Sequence, residues 1–457
     1  MILTSKLSRF GIALILICLV RPSLFAGEPS IIRVGLTSSI GKPTSITISC
    51  NKPFQIINAP DKATVPSLTG KKVAFSAKGA GIEITTDGAS PSSFKGPLRL
   101  SSDDEDAVFE IVSPKARYKL YSGILEISGT WSLTVVNELP LEDYVKGVVP
   151  AEVPMNFHPE AQKAHVVAIR SYAFMSMSRH KSSGYNLCDS IHCQGFSGVS
   201  KIAPWVEKIV DDTRGQVVTY NGKVVVTPYS SDCGGATQSA EDAGMGKSFP
   251  YLRSVVDNPS GVQAMAVPEP HVDIWSVPDA RWVAHGQSPA ASSQPSAASH
   301  QPSAISRQKE NPKSDDYCSA CPVHTWQLTY ALDDLDKKFS RSITGKNAVG
   351  KFQSMEFTEY DSSGRVKTVL IKGDKGEYKM TGNRFREVFG LDVVKSTRMT
   401  LTLTQDGKYR IDGKGYGHGI GLCSFGANGL AKSSKDVTYV DILKHYYTCV
   451  EITKIGE

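Results

Sequence analysis

Only one stretch of this sequence is long and apolar enough to suggest a membrane-directed segment, and it lies at the very start. No later run is long enough to span a bilayer as a helix. No cluster of basic residues is interleaved with aromatics, so there is no nucleic-acid footprint. No H-E-x-x-H pattern is present, which weakens a zinc-hydrolase reading. No strand–G-x-S-x-G–helix context surrounds Ser231, which argues against reading it as a hydrolase nucleophile. The near-repeat QPSA is low complexity and gives no sign of a solenoid.

The opening stretch has a basic start (Lys6, Arg9), an apolar run from Phe10 to Val20, and a small residue, Ala26, at a plausible cleavage point. This is the pattern of an export signal over 1–26, with a short membrane anchor as the alternative. The formal charge of +6 falls to 6 − 3 = +3 when Lys6, Arg9 and Arg21 leave with it. Export would put the mature protein beyond the cytoplasmic membrane, in periplasm or cell envelope. Of nine cysteines, Cys18 leaves with the signal and eight remain, an even count that permits disulfides without choosing among them.

Along the chain, 31–136 reads as short β-branched strands separated by Gly, Pro, Asp and Ser. At Asn156 the period changes to that of a helix: Ala161, Ala164, Ala168, Tyr172 and Met175 recur, Pro159 suits a first turn, and Gly184 ends the run. Asn221-Gly222 reads as a hairpin turn. The Ser/Ala/Pro/Gln segment 286–316 cannot bury enough apolar area to order itself and reads as a disordered insertion. Beyond it, 317–457 alternates strands with short helices. The fold class expected is α+β, strand-rich, with a long helix after a Pro-flanked turn. The segments 137–285 and 317–457 are read as two parts of one core.

Four places could carry chemistry. Glu152 stands between Pro150 and Pro154 among apolar neighbours; desolvation there would raise its pKa and make it a general acid, against the plainer reading of a solvated loop glutamate. Glu138 and Glu142 lie nearby. His180, Cys188, His192 and Cys193 offer imidazole and thiolate at short spacing, which suits a structural zinc; a Cys188–Cys193 disulfide is the equal alternative. Ser230, Ser231, Thr237 and Ser239 could bind a polar ligand, with Gly234 and Gly235 letting backbone approach it, or could form an ordinary polar loop. Cys318-x-x-Cys321 reads as a disulfide at the edge of the insertion ahead of a redox or metal pair.

The ordered motifs LPLEDYVKGVVPAEVP, HPEAQKAHVVAIRSYA, YSSDCGGATQSAED, PYLRSV, TGNRFREVFGL, GKGYGHGIGLCSFGANGLAK and ILKHYYTCVEI together resemble the SpoIID/LytB family, the stage II sporulation protein D type of peptidoglycan lytic transglycosylase. The resemblance implies cleavage of MurNAc-β-1,4-GlcNAc bonds to 1,6-anhydro ends, preferably in glycan stripped of stem peptides. It puts the catalytic acid at Glu152 and needs no catalytic cofactor. It implies that His418, Gly419 and Gly421 lie along a sugar groove, where His418 meets glycan or orients Glu152; Arg170, Ser171 and Tyr172 are expected to line the same groove. Packing of His418 in the core is the alternative. It supports zinc at His180, Cys188, His192 and Cys193. Leu422, Cys423 and Ser424 depart from the family's Met-Ser-Gln and remove one amide. The rival implied by the same family is a glycan-binding protein that recruits or activates a cell-wall amidase.

Overall fold

The computed structural model describes residues 31–60, 64–65, 72–86, 90–246, 248–259 and 316–455. The expected signal at 1–26 and the Ser/Ala/Pro segment, apart from Asp316, lie outside the described residues. The architecture is α+β, with strands and helices interspersed along the chain.

The N-terminal region forms two sheets. One runs Leu187–Cys188, Ile31–Gly35, Thr134–Pro140, Ile124–Ser128, Leu98–Ser101, Gln55–Asn58, Thr64–Val65; the other has Leu120–Tyr121 and Ser92–Phe94 at its edges. Alternation of apolar and polar residues puts Ile32, Val34, Ile46, Ile48, Phe75 and Ile111 in one core. Glu138 is a sheet residue rather than part of a turn. Its carboxylate bridges Arg33 and Arg99, as does that of Glu126. Burial works to raise the Glu138 carboxyl, but the two guanidinium groups outweigh it and hold it below its ordinary range.

The turn expected around Glu142 and Glu152 is a helix, α1 (Leu141–Glu152), which takes Pro150 in its last turn. A proline there loses the bond its missing N–H would have made to Lys146 and crowds that carbonyl with its ring, and Val153 caps the end through Val149. Helix α2 (Pro159–Met175) starts as the sequence predicts, with Pro159 in its first turn and His158 capping the Glu160 N–H. It stops at Met175, short of the expected Gly184; a 3-10 turn at Lys181–Ser183 follows, and Gly184 closes it with φ 84. Helix α3 (Pro204–Asp212) leads to strand Gln216–Tyr220, whose hairpin turns through Asn221 (φ 50) and Gly222 (φ 70).

Past residue 316, a subsidiary core gathers α4 (Leu332–Ser342), α5 (Gly382–Phe389) and two three-stranded sheets around Phe339, Phe385 and Ile411. The Gly-rich run then returns to the centre. Leu422–Cys423 pairs in parallel with Tyr229–Ser230 and opens α6 (Ser424–Ser433). Helix α7 (Tyr439–Tyr446) has a Thr438/Asp441 capping box, and the last strand, Glu451–Lys454, pairs with Gln216–Tyr220.

Candidate active site and Cys/His cluster

Glu152 is the last residue of α1, and the chain beyond it is held on two sides. Gln162 of α2 donates to the carbonyls of Pro154 and Met155. Asn428 of α6 accepts the His158 N–H at 2.8 Å. The Glu152 Oε1 accepts the Gly195 N–H at 2.5 Å. Burial raises the Glu152 carboxyl above its ordinary range, and the Gly195 hydrogen bond offsets part of the rise. No basic side chain contributes to that balance.

The groups around the carboxyl are polar and uncharged. The Tyr144 hydroxyl donates to Gln194 Oε1 at 3.0 Å, and Gln194 Nε2 donates to the Tyr229 hydroxyl at 3.1 Å. Both tyrosines feel the Glu152 charge, and burial first of all keeps both phenols protonated. Behind Tyr229 lies His165, wholly buried, its ring edge-on to the tyrosine at 6.2 Å. The Ala161 carbonyl can only accept, so His165 Nδ1 carries the proton and Nε2 accepts from the Ser424 hydroxyl at 2.9 Å. Burial pushes this imidazole down to about 4, so it stays neutral. The sequence assigns no role to Tyr144, His165, Gln194 or Tyr229, and marks Ser424 only as a departure from the family's glutamine. Only the position of Gln194 beside the Cys/His run offered a local signal.

The expected metal residues do converge. One ligand atom from each of His180, Cys188, His192 and Cys193 lies within 4.8 Å of all the others. His192 Nδ1 is 3.6 Å from both sulfurs, and His180 Nε2 is 3.3 Å from Cys193 Sγ. A tetrahedral zinc with Zn–S of about 2.3 Å and Zn–N of about 2.0 Å has S···N edges of roughly 3.6 Å, so the donor set fits. The Cys193 thiol holds the Cys188 thiol down by donating to it, and is itself pushed up. Both cysteines are free thiols, as are the other six after Cys18. Cys318 and Cys321 therefore do not form the expected disulfide.

Three groups of expected binding residues lie differently from the reading above. Arg170 and Ser171 face the core, each 0% exposed. Arg170 holds Glu142 through two bonds, 2.7 and 2.8 Å, and the Ser171 hydroxyl donates to the Val167 carbonyl. Neither can line a groove. Tyr172 is half-buried and accepts from Arg179. Ser231 is exposed, whereas Ser230 is buried, its Oγ without a partner among the described residues.

The glycines serve close protein contacts. A methyl at Gly419 would fall 2.2 Å from the Arg365 guanidinium, and one at Gly421 would fall 2.2 Å from the Pro228 carbonyl. At Gly235 it would meet the Asp316 carboxylate, and at Gly234 the backbone of Lys414. His418 is half-buried and its Nδ1 accepts the Ile420 N–H at 3.0 Å. Burial and then the nearby Arg386 push its imidazole down to about 4, against a pull upward from the Tyr229 backbone. No His418–Glu152 hydrogen bond forms among the described residues. The link between them is Tyr229, whose backbone meets His418 and whose phenol senses Glu152.

Comparison with known proteins agrees with this arrangement of motifs. A family model described as SpoIID, stage II sporulation protein, matches residues 130–220. A second model, a domain of unknown function (DUF8618), matches 238–421. The chain is 27% identical to an uncharacterised protein of Brachyspira hyodysenteriae, over 94% of each. It is 30% identical to the amidase enhancer of Bacillus subtilis, over 68% of this chain and 40% of that protein. It is 27% identical to the stage II sporulation protein D of Bacillus amyloliquefaciens, over 70% of this chain and 76% of that one. The SpoIID match falls on the segment that carries Glu152 and the Cys/His cluster, and on these grounds the chain belongs to the SpoIID family.

Proposed function

We propose that this protein is an exported lytic transglycosylase that cleaves MurNAc-β-1,4-GlcNAc bonds in glycan strands, with Glu152 as its acid and base. The observation that carries the reading is the Glu152 carboxyl: desolvated, free of any basic partner, raised above its ordinary range, and held by one backbone N–H. A protonated carboxyl of this kind donates to the glycosidic oxygen as the C1–O4 bond breaks. The sugar's own C6 hydroxyl then forms the C1–O6 bond, and its proton returns to Glu152. An intramolecular nucleophile needs no second carboxylate to activate water, unlike a paired-carboxylate hydrolase. Denuded glycan is the substrate implied by the family resemblance.

Zinc at His180, Cys188, His192 and Cys193 is part of the same proposal, as a structural brace. Four protein donors close the site to substrate, and Gly195, the residue that holds Glu152, follows Cys193 by two positions.

A second reading, glycan binding coupled to activation of a cell-wall amidase, is favoured by the likeness to a protein named amidase enhancer. The deciding experiment is a digest of stem-peptide-free glycan strands by the protein and by Glu152→Gln, read by mass spectrometry. Products lighter than hydrolysis products by one water, absent with the variant, support the transglycosylase. Uncut strands that the folded protein retains in a pull-down support the amidase reading.

A further inference from the structure

Three cysteines from distant parts of the chain meet in the interior beneath the Gly-rich loop. Cys233, Cys318 and Cys423 are each 0% exposed, as is the adjacent Asp232. One ligand atom from each of these four residues lies within 4.8 Å of all the others. We propose that Cys233, Cys318, Cys423 and the Asp232 carboxylate form a second metal site, distinct from the Cys/His cluster, for a zinc-class ion that prefers thiolate. It is independent of the reaction proposed for Glu152.

The sulfur geometry suits a metal better than a disulfide. Cys233 Sγ and Cys318 Sγ are 3.7 Å apart. A covalent bond needs about 2.0 Å. The sulfur–sulfur edge of a tetrahedron with Zn–S of about 2.3 Å is roughly 3.8 Å. Three sulfurs also leave one unpaired in any disulfide scheme.

The surroundings of Cys423 favour a negative sulfur, whereas the Asp257 carboxylate beside Cys233 favours its thiol until a cation is bound. Cys423 Sγ accepts the backbone N–H of Cys233 at 3.1 Å and that of Gly426 at 3.3 Å. Gly426 lies in the first turn of α6, where unpaired N–H groups and the helix dipole favour an anion. Arg365 is 0% exposed and makes no ion pair among the described residues. Its guanidinium donates to the carbonyls of Cys233, at 2.7 Å, and Ala236, at 2.9 Å. A wholly buried cation needs a counter-charge, and a metal held by three thiolates and a carboxylate carries net negative charge. Around the donors, His324 Nδ1 lies 3.0 Å from Asp232 Oδ2. Asp257 Oδ2 accepts from Cys233 Sγ at 3.1 Å, and the Tyr446 hydroxyl donates to Asp257 Oδ1 at 2.6 Å. Binding would release the three thiol protons to solvent, so that four negative donors meet one divalent cation.

The site would tie three segments together. Tyr317 N–H bonds the Asp257 carbonyl at 2.9 Å, which sets Cys318 beside the Asp257 segment. Cys423 ends the Gly-rich loop and adjoins Ser424, which bonds His165 behind Tyr229. The ion would thus fix the floor under His418 and Tyr229.

The test is metal content and X-ray absorption of the full chain, purified without chelator, alongside Cys188→Ser/Cys193→Ser and Cys318→Ser. The expected result is that the double variant keeps one equivalent of zinc, bound by three sulfurs and one oxygen, and that Cys318→Ser loses that equivalent. If either variant fails to fold, the wild-type protein decides. Two equivalents, or one equivalent with three sulfurs, support the site; the second of these would count against zinc at the Cys/His cluster alone. No metal, or one equivalent with two sulfurs and two nitrogens, overturns it. So does an unreduced protein two hydrogens lighter than its sequence, with Cys233 and Cys318 in one cross-linked peptide.

Discussion

Glu152 has its Oε1 fixed by the N–H of Gly195, and Gly195 has no room for a side chain because of Glu152. A methyl on Gly195 would lie 2.9 Å from Glu152 Oε1 and 3.3 Å from the Ala151 methyl. Gly195→Ala is expected to push the carboxyl out of position and to cut glycan cleavage by about 100-fold, the scale of a displacement near 1 Å. Circular dichroism should stay unchanged, and initial-rate assays on denuded strands would check the loss.

Glu152→Gln separates activity from stability. Removing the acid should reduce cleavage by about 10²- to 10⁴-fold. A carboxyl whose folded-state pKa lies above its unfolded value stabilises the fold below the unfolded value and loses that contribution as pH rises through the folded value. Glu152 is raised, mainly by burial. The variant should therefore match the wild type in melting temperature at acid pH and exceed it at neutral pH. Wild-type activity should fall as pH rises through the same raised value. Melting curves and rates across pH would test both.

Arg170 and Glu142 act on stability. Arg170 is wholly buried, and its bonds to Glu142 and the Gln216 carbonyl tie α2 to α1 and to the strand after α3. Removing one partner of a buried pair costs about 3–5 kcal/mol. Arg170→Met should lose that much in urea unfolding. The double variant Arg170→Met/Glu142→Leu should recover part of it, which a substrate-binding arginine would not do.

Chelation should loosen the Glu152 site. If the Cys/His cluster holds zinc, stripping it frees Cys193, and with it the Gln194–Gly195 segment. Hydrogen exchange at the Gly195 amide should then quicken while exchange in the N-terminal sheets stays slow. Equal exchange with and without chelator would remove the bracing role.

Local chemistry is what the sequence by itself determined. Asn221-Gly222 reads as a hairpin because both residues must take positive φ, and they do. Pro159 reads as a helix start because its missing N–H costs nothing there. His180, Cys188, His192 and Cys193 lie within fourteen positions, close enough for spacing alone to suggest a shared ion. The burial of Glu152, which raises its carboxyl, is legible from its apolar, proline-flanked neighbours.

Tertiary structure decided the rest, because long-range contacts leave no local period. Helical spacing could not say that Arg170 turns inward to Glu142. The glycines at 419 and 421 looked like room for a sugar; their missing side chains are filled by Arg365 and the Pro228 carbonyl. Cys233 is 85 positions from Cys318 and 190 from Cys423. No spacing rule joins thiols so far apart. They meet because Tyr229–Ser230 pairs with Leu422–Cys423 and the segment at 316 returns beside Asp257.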